Sequence, residues 1–302
     1  MTRLAQLGAR PGRTDVAAPA PMPRPAVRFR WLDALWLQVT GTLCNIACRH
    51  CFISCGPKAT QVPVMSAGQV ERALLEGRDL GMRQAYFTGG EPFLHPELRR
   101  LVRFALALGP LTIITNGLLI DDGAAAWLAA ESAASRYSLD LRVSLDGMTA
   151  AQNDPVRGHG TFDGIVAALG RLARAGLSPV VTVVEHEAAS REGFLDFVRS
   201  LGLRQPRVKF LPLVRIGREP RRTHGYAFDD ALGGEPLLPE VEASLLCASG
   251  RIVTAQGVYT CPILIEHPTA RLGDDLASAQ RDLRLQWDAC QTCVLDGLRC
   301  NT

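Results

Sequence analysis

Nine cysteines occur in the 302 residues of this chain, and Cys44, Cys48, Cys51 and Cys55 crowd into one stretch, LCNIACRHCFISC. The first three have the spacing CxxxCxxC. Three thiolates from one short loop suit a cubane iron–sulfur cluster and leave one iron without a protein ligand. A structural zinc site closes on four protein ligands and commonly shows paired CxxC knuckles. The CxxxC half is wrong for a knuckle, although His50 or Cys55 would complete a zinc set. Five more cysteines, Cys247, Cys261, Cys290, Cys293 and Cys300, gather near the other end. They follow a charged, irregular segment beyond Val214. The apolar content there is too low for independent folding, so a metal site is expected to hold it.

The elements that must position the first group follow a clear alternation. Apolar runs at 35–41, 84–90, 111–117, 139–147, 179–185 and 207–213 read as strands. Between them, 66–80, 95–108, 122–135, 161–175 and 190–201 read as helices. Ser66 and Gln69 form a capping box, and Gly81 ends the first helix. Six strands separated by five helices predict an α/β fold with a parallel sheet and right-handed crossovers. Six units are too few for a closed eightfold barrel, so a partial (β/α)6 barrel is expected. Chemistry in such folds sits on the loops after the strands. The cysteine loop, Gly89-Gly90-Glu91, Thr115-Asn116-Gly117 and Asp146 all fall there.

Bulk properties exclude several classes. The net charge is +3, and basic residues are interspersed with acids, so no nucleic-acid footprint emerges. No apolar run reaches the ~18 residues of a membrane span. The first 30 residues, rich in proline and arginine, lack the apolar core of a secretory signal. They read as a disordered arm before a barrel at 31–214 and a linker plus small cysteine-rich domain at 215–302. The chain reads as cytoplasmic, where nine cysteines are metal ligands or catalytic thiols rather than disulfides.

CNIACRHC resembles the cluster motif of the radical S-adenosylmethionine (radical SAM) superfamily, and the likeness extends over residues 35–213. FTGGEPFLHP resembles the glycine-rich motif of the second strand, while ITNG and VSLDG resemble motifs of the third and fourth. The resemblance implies a 4Fe-4S cluster on Cys44, Cys48 and Cys51, with S-adenosyl-L-methionine on its open iron. One electron would then release a 5′-deoxyadenosyl radical that abstracts hydrogen from an unactivated C–H bond. It further implies that Gly89, Gly90 and Glu91 hold the methionine amino group. Asn116 joins the cofactor site, Ser144 faces the ribose or carboxylate, and Arg157 binds the carboxylate. His50 packs over the cluster, and Cys55 is a bystander. An external one-electron reductant such as flavodoxin or ferredoxin is implied.

The C-terminal cysteines resemble the abbreviated auxiliary-cluster domain called twitch, related to the longer SPASM domain. GVYTC and CQTC supply the matching pieces, with one residue fewer between Gly257 and Cys261 than the usual pattern. One auxiliary 4Fe-4S cluster is implied. Its ligands are either Cys261, Cys290, Cys293 and Cys300, leaving Cys247 free to donate a hydrogen atom, or the set with Cys247 in and Cys300 idle. In size and in its single short tail the chain resembles aminoglycoside-tailoring members such as the neomycin-type epimerase. The expected reaction is therefore epimerisation of an aminosugar carbon in a small polar substrate, with a cysteine as hydrogen donor. A dehydrogenase of the same substrates and a peptide maturase are the alternatives. Carboxylates for a cationic aminosugar would come from Glu219, Asp229, Asp230 and Glu235.

Overall fold

The computed structural model describes residues 24–185, 191–219, 225–226 and 232–300. Its centre is six parallel strands in chain order: β2 (Ala34–Gln38), β3 (Gln84–Thr88), β4 (Leu111–Thr115), β5 (Leu139–Ser144), β6 (Val180–Val184) and β7 (Arg207–Leu211). Helices α1 (Ala67–Asp79), α2 (Leu98–Leu108), α3 (Asp122–Ala134), α5 (Thr161–Arg174) and α6 (Phe194–Ser200) connect them. Between β5 and β6 the barrel holds a further helix that was not expected, α4 (Ala150–Arg157), which precedes α5. This is the partial (β/α)6 barrel that the alternation predicts.

The strand period divides the sheet into two faces. Outward residues such as Leu35, Leu37, Phe87, Ile113, Val143 and Val181 are buried against helical residues such as Val70, Leu74, Leu101, Ile165 and Leu169. Each such side chain contributes about 1.5–3 kcal/mol on burial. Inward residues are mixed in character: Trp36 and Gln38 on β2, Arg142 and Ser144 on β5, Thr182 on β6, Lys209 on β7. The capping box on α1 is present, with Ser66 Oγ accepting from Gln69 N–H and Gln69 Oε1 accepting from Ser66 N–H.

The tail does not stand apart from the sheet. Strand β8 (Gly250–Thr254) pairs in parallel with β2, Ala34 opposite Gly250, on the side away from β3. A short hairpin then adds β9 (Gly257–Tyr259) and β10 (Arg271–Gly273) antiparallel, giving nine strands in the order β10-β9-β8-β2-β3-β4-β5-β6-β7 among the described residues. Residues 24–30, expected to belong to a disordered arm, are part of the fold. Strand β1 (Ala26–Val27) pairs antiparallel with β11 (Leu283–Arg284), because Val27 is buried beside the tail. No described helix is long and apolar enough to cross a membrane.

Candidate active site

The cysteine loop leaves β2 through a turn at Thr40-Gly41 and is held by its own backbone. Cys44 N–H donates to Gly56 O (3.1 Å), and Gly56 N–H returns to Thr42 O (3.1 Å). Cys51 N–H donates to Cys48 O at 3.3 Å. The glycine motif after β3 locks onto this loop, for Glu91 N–H donates to Leu43 O at 3.0 Å. A β-carbon on Gly90 would lie 2.0 Å from Leu43 O and 2.7 Å from Cys44 N, and one on Gly89 would meet Thr40 Oγ1 at 2.1 Å. Only glycine lets these two loops approach so closely.

Cys44, Cys48 and Cys51 line one cavity of about 240 Å3 together with Gly89, Gly90, Asn116, Ser144 and Arg157. Every residue expected at the site outside the tail, Glu91 excepted, thus borders a single space. The Glu91 carboxylate is completely buried beneath the loop, where Oε1 accepts from Thr115 Oγ1 (2.8 Å) and Phe93 N–H (3.1 Å), and Oε2 from Asn116 N–H (2.8 Å). Burial pushes it up to about 7 against those donors. Glu91 therefore ties the β3 and β4 loops together rather than facing the cavity. Asn116 carries the tie onward, donating Nδ2 to Asn45 Oδ1 at 2.7 Å, with Cys44 Sγ 3.7 Å away.

Arg157, expected to bind a carboxylate of the cosubstrate, already has a partner. Its Nε lies 2.8 Å from Asp146 Oδ2, both groups being buried. His50 Nε2 meets the same oxygen at 2.6 Å, so His50 borders the cavity beside the cysteines and is held there by a hydrogen bond to Asp146. Asp146 Oδ1 accepts from Val184 N–H at 2.8 Å. Burial would raise this acid, but Arg157 and His50 outweigh it and hold it well below the usual carboxylate range. Cys55 is more than a bystander to the loop: it is buried and its N–H donates to Cys51 Sγ at 3.3 Å.

The donor set suits a cluster. Burial pushes Cys44 up to about 12 and Cys48 up to about 11, although Arg157 eases the latter. The Cys55 hydrogen bonds outweigh burial at Cys51 and lower it to about 6. Thiolates at Cys44 and Cys48 call for added positive charge, which iron would provide, whereas Cys51 is already primed as a ligand. Among the described residues no three His, Cys, Asp or Glu side chains converge as a single metal ion would require. A cubane needs no such convergence, because each thiolate binds a different iron.

Sequence reasoning missed the cations of the cavity wall: Arg142, Lys209 and Arg218. Arg218 Nε donates to Cys48 O at 2.8 Å, so the segment after β7 also braces the loop. The strict apolar–polar alternation of LDLRVS along β5 was the available signal for Arg142, two positions before Ser144. No Asp or Glu appears in this wall among the described residues. Glu219 is buried elsewhere, Glu235 lies outside the wall, and Asp229 and Asp230 fall outside the described residues.

The five tail cysteines border a second, apolar space of about 40 Å3. Cys247, expected to face the substrate, borders only this space, whereas Cys300 borders both. Burial pushes Cys247 and Cys300 up to about 12 and raises Cys261, Cys290 and Cys293 as well. Beside them Arg251 is fully buried and donates to the carbonyls of Ala279, Cys247, Gly250 and Arg281 at 2.7–2.9 Å. A guanidinium in apolar surroundings calls for nearby negative charge, and metal-bound thiolates would supply it.

Fold and site together define a radical SAM protein. The radical SAM superfamily sequence pattern matches residues 39–186. Mycofactocin maturase MftC of Mycolicibacterium smegmatis is 37% identical over 279 residues, covering 81% of this chain and 69% of the maturase. The chain belongs to the radical SAM superfamily. The MftC of Mycobacterium tuberculosis is 34% identical over 192 residues, and the match spans about half (47%) of that maturase. A GTP 3′,8-cyclase from Chlorobaculum tepidum is 34% identical over 148 residues, covering 47% of this chain and 42% of the cyclase. In structure, Streptococcus suis SuiB bound to precursor peptide SuiA superposes with a TM-score of 0.62 at 17% identity, covering 83% of this chain and 65% of SuiB. Native anSMEcpe with bound AdoMet gives a TM-score of 0.58 at 15% identity, covering 86% of this chain and 80% of anSMEcpe. These two likenesses bear on the fold.

Proposed function

We propose that this radical SAM enzyme modifies a peptide, with Cys44, Cys48 and Cys51 holding the 4Fe-4S cluster and the tail cysteines an auxiliary one. The group supplies one-electron cleavage of S-adenosyl-L-methionine when bound, with the electron drawn from a flavodoxin- or ferredoxin-type donor. The chain's own residues prepare the space. Gly89 and Gly90 expose backbone against the cysteine loop. Asn116 and Ser144 offer hydrogen-bonding groups at the wall, and the Arg157–Asp146–His50 assembly fixes the loop's far side.

The observation that carries the substrate class is the charge of the wall. Arg142, Lys209 and Arg218 line it beside the Arg157–Asp146 pair, and no Asp or Glu borders it among the described residues. A polycationic aminosugar would meet like charge in a low-dielectric cavity, which is costly. That weighs against the aminosugar epimerase or dehydrogenase expected from sequence. The maturase similarity, which extends over most of the chain, supports a peptide instead.

The test is direct. Anaerobically reconstituted protein, reductant and S-adenosyl-L-methionine are mixed with synthetic peptides made from short open reading frames flanking the gene or with a panel of aminoglycosides. One such peptide is expected to stimulate 5′-deoxyadenosine release and to change in mass. Stimulation by an aminoglycoside, with the peptides inert, would overturn the reading. Incorporation of one solvent deuterium would then mark epimerisation, and loss of two hydrogens oxidation.

A further inference from the structure

The two cavities share a partition. Ile263 and Cys300 border both among the described residues, and of these only Cys300 carries a reactive group. The five tail cysteines are also not equivalent in how the backbone presents them. The β8–β9 hairpin pairs Ile252 with Tyr259, so the chain just before β8 and just after β9 emerges at one end. Cys247 and Cys261 sit there, three residues before β8 and two after β9. Cys290 and Cys293 lie one turn apart on the helix Cys290–Val294. Two short devices thus deliver two thiols each to the small apolar space.

Cys300 belongs to neither device. It is anchored to the barrel, where Arg142 Nη1 on β5 donates to Cys300 O at 2.9 Å. The Arg142 guanidinium in turn lies 5.4 Å over the Tyr86 ring, which stacks on Trp36 at 4.4 Å. Cys247 has the opposite setting. Its carbonyl accepts from Arg251 Nη1 at 2.8 Å, and its side chain packs between the two apolar clusters, away from the barrel cavity.

We infer that Cys247, Cys261, Cys290 and Cys293 are the four iron ligands of the tail, and that Cys300 is a non-ligand thiol presented to the substrate in the barrel cavity. This rests on the auxiliary-cluster reading above. It exchanges the roles of Cys247 and Cys300 in the ligand set first expected.

The test counts iron and acid-labile sulfide in anaerobically reconstituted parent, Cys247→Ala, Cys300→Ala and Cys300→Ser proteins. The parent holoprotein is also treated with iodoacetamide and its labelled cysteines mapped by peptide mass. Parent and both Cys300 variants should hold about eight irons, and Cys247→Ala about four. The label should mark Cys300 and spare the other four tail cysteines. Loss of about four irons in Cys300→Ser, or a label on Cys247 in place of Cys300, would overturn the assignment. If the Cys300 variants fail to fold, the label on the parent decides. A parent with only about four irons would refute the auxiliary cluster itself, and is distinguished because the deficit precedes any substitution.

Discussion

The two cysteine regions are built on opposite plans. The loop at Cys44–Cys55 is framed by polar backbone and by buried charged groups, Glu91, Asp146 and Arg157, and rests on the ends of adjoining parallel strands of five or six residues. The tail pocket is lined by apolar residues and thiols, its strands hold two to five residues each, and the buried guanidinium of Arg251 lies beside it. In the first, the fold makes the site and iron adds chemistry. In the second, a buried apolar cluster that includes Ile252, Tyr259, Ile263, Leu264, Leu285 and Trp287 already packs the tail, and iron bound by the thiols would tie its turns and short helix to one another.

The sharpest way to break this comparison is a matched pair of substitutions. Cys48→Ala should reduce 5′-deoxyadenosine formation to background while changing unfolding free energy by less than about 1 kcal/mol. Cys290→Ala should lose auxiliary iron and destabilise the tail by about 3 kcal/mol or more. Anaerobic hydrogen exchange would register this as faster exchange across residues 250–300, with β4 to β6 unchanged. Equal loss of protection in both variants would mean that the two plans do not differ.

Asp146→Asn tests whether the barrel site depends on buried charge. Removing one member of a buried ion pair strands Arg157, at a cost of about 3–5 kcal/mol measured by urea unfolding. The pH dependence follows in sign. Asp146 is depressed in the fold, so its contribution is complete above the ordinary carboxylate range and erodes as pH falls below about 4. The Asn variant should lack that acid-side slope, and a retained slope would assign it to other groups.

Gly90→Ala is the mildest probe. The new methyl must displace Leu43 O and Cys44 N, for about 1–3 kcal/mol of destabilisation and slower cleavage of S-adenosyl-L-methionine. Parent-like stability and turnover would show the loop contact to be plastic.

Much of the barrel was legible because its signals are local. Strand period, the Ser66–Gln69 box and the CxxxCxxC spacing each lie within a few residues. The pairing of β8 with β2 and of β1 with β11 was not legible, since nothing local encodes a partner more than two hundred positions away. Arg157 borders the cavity and Glu91 lies buried beneath its loop, and the partners of both were hidden in the sequence. Whether an arginine meets Asp146 or open cavity depends on the relative height of α4 and the β5 loop, which no spacing reveals. Helix α4 escaped notice because a short polar helix with Pro155 inside lacks an apolar stripe.

The union of β2 with β8 carries a consequence for synthesis. On the ribosome, β2 is complete at residue 38, but its outer flank must wait until residue 250 has emerged. At ~5–20 residues per second that delay is on the order of ten seconds or more. Throughout it a bare row of amide and carbonyl groups on an apolar strand is open to mispairing, so shortening the tail should yield insoluble aggregates rather than a smaller working barrel.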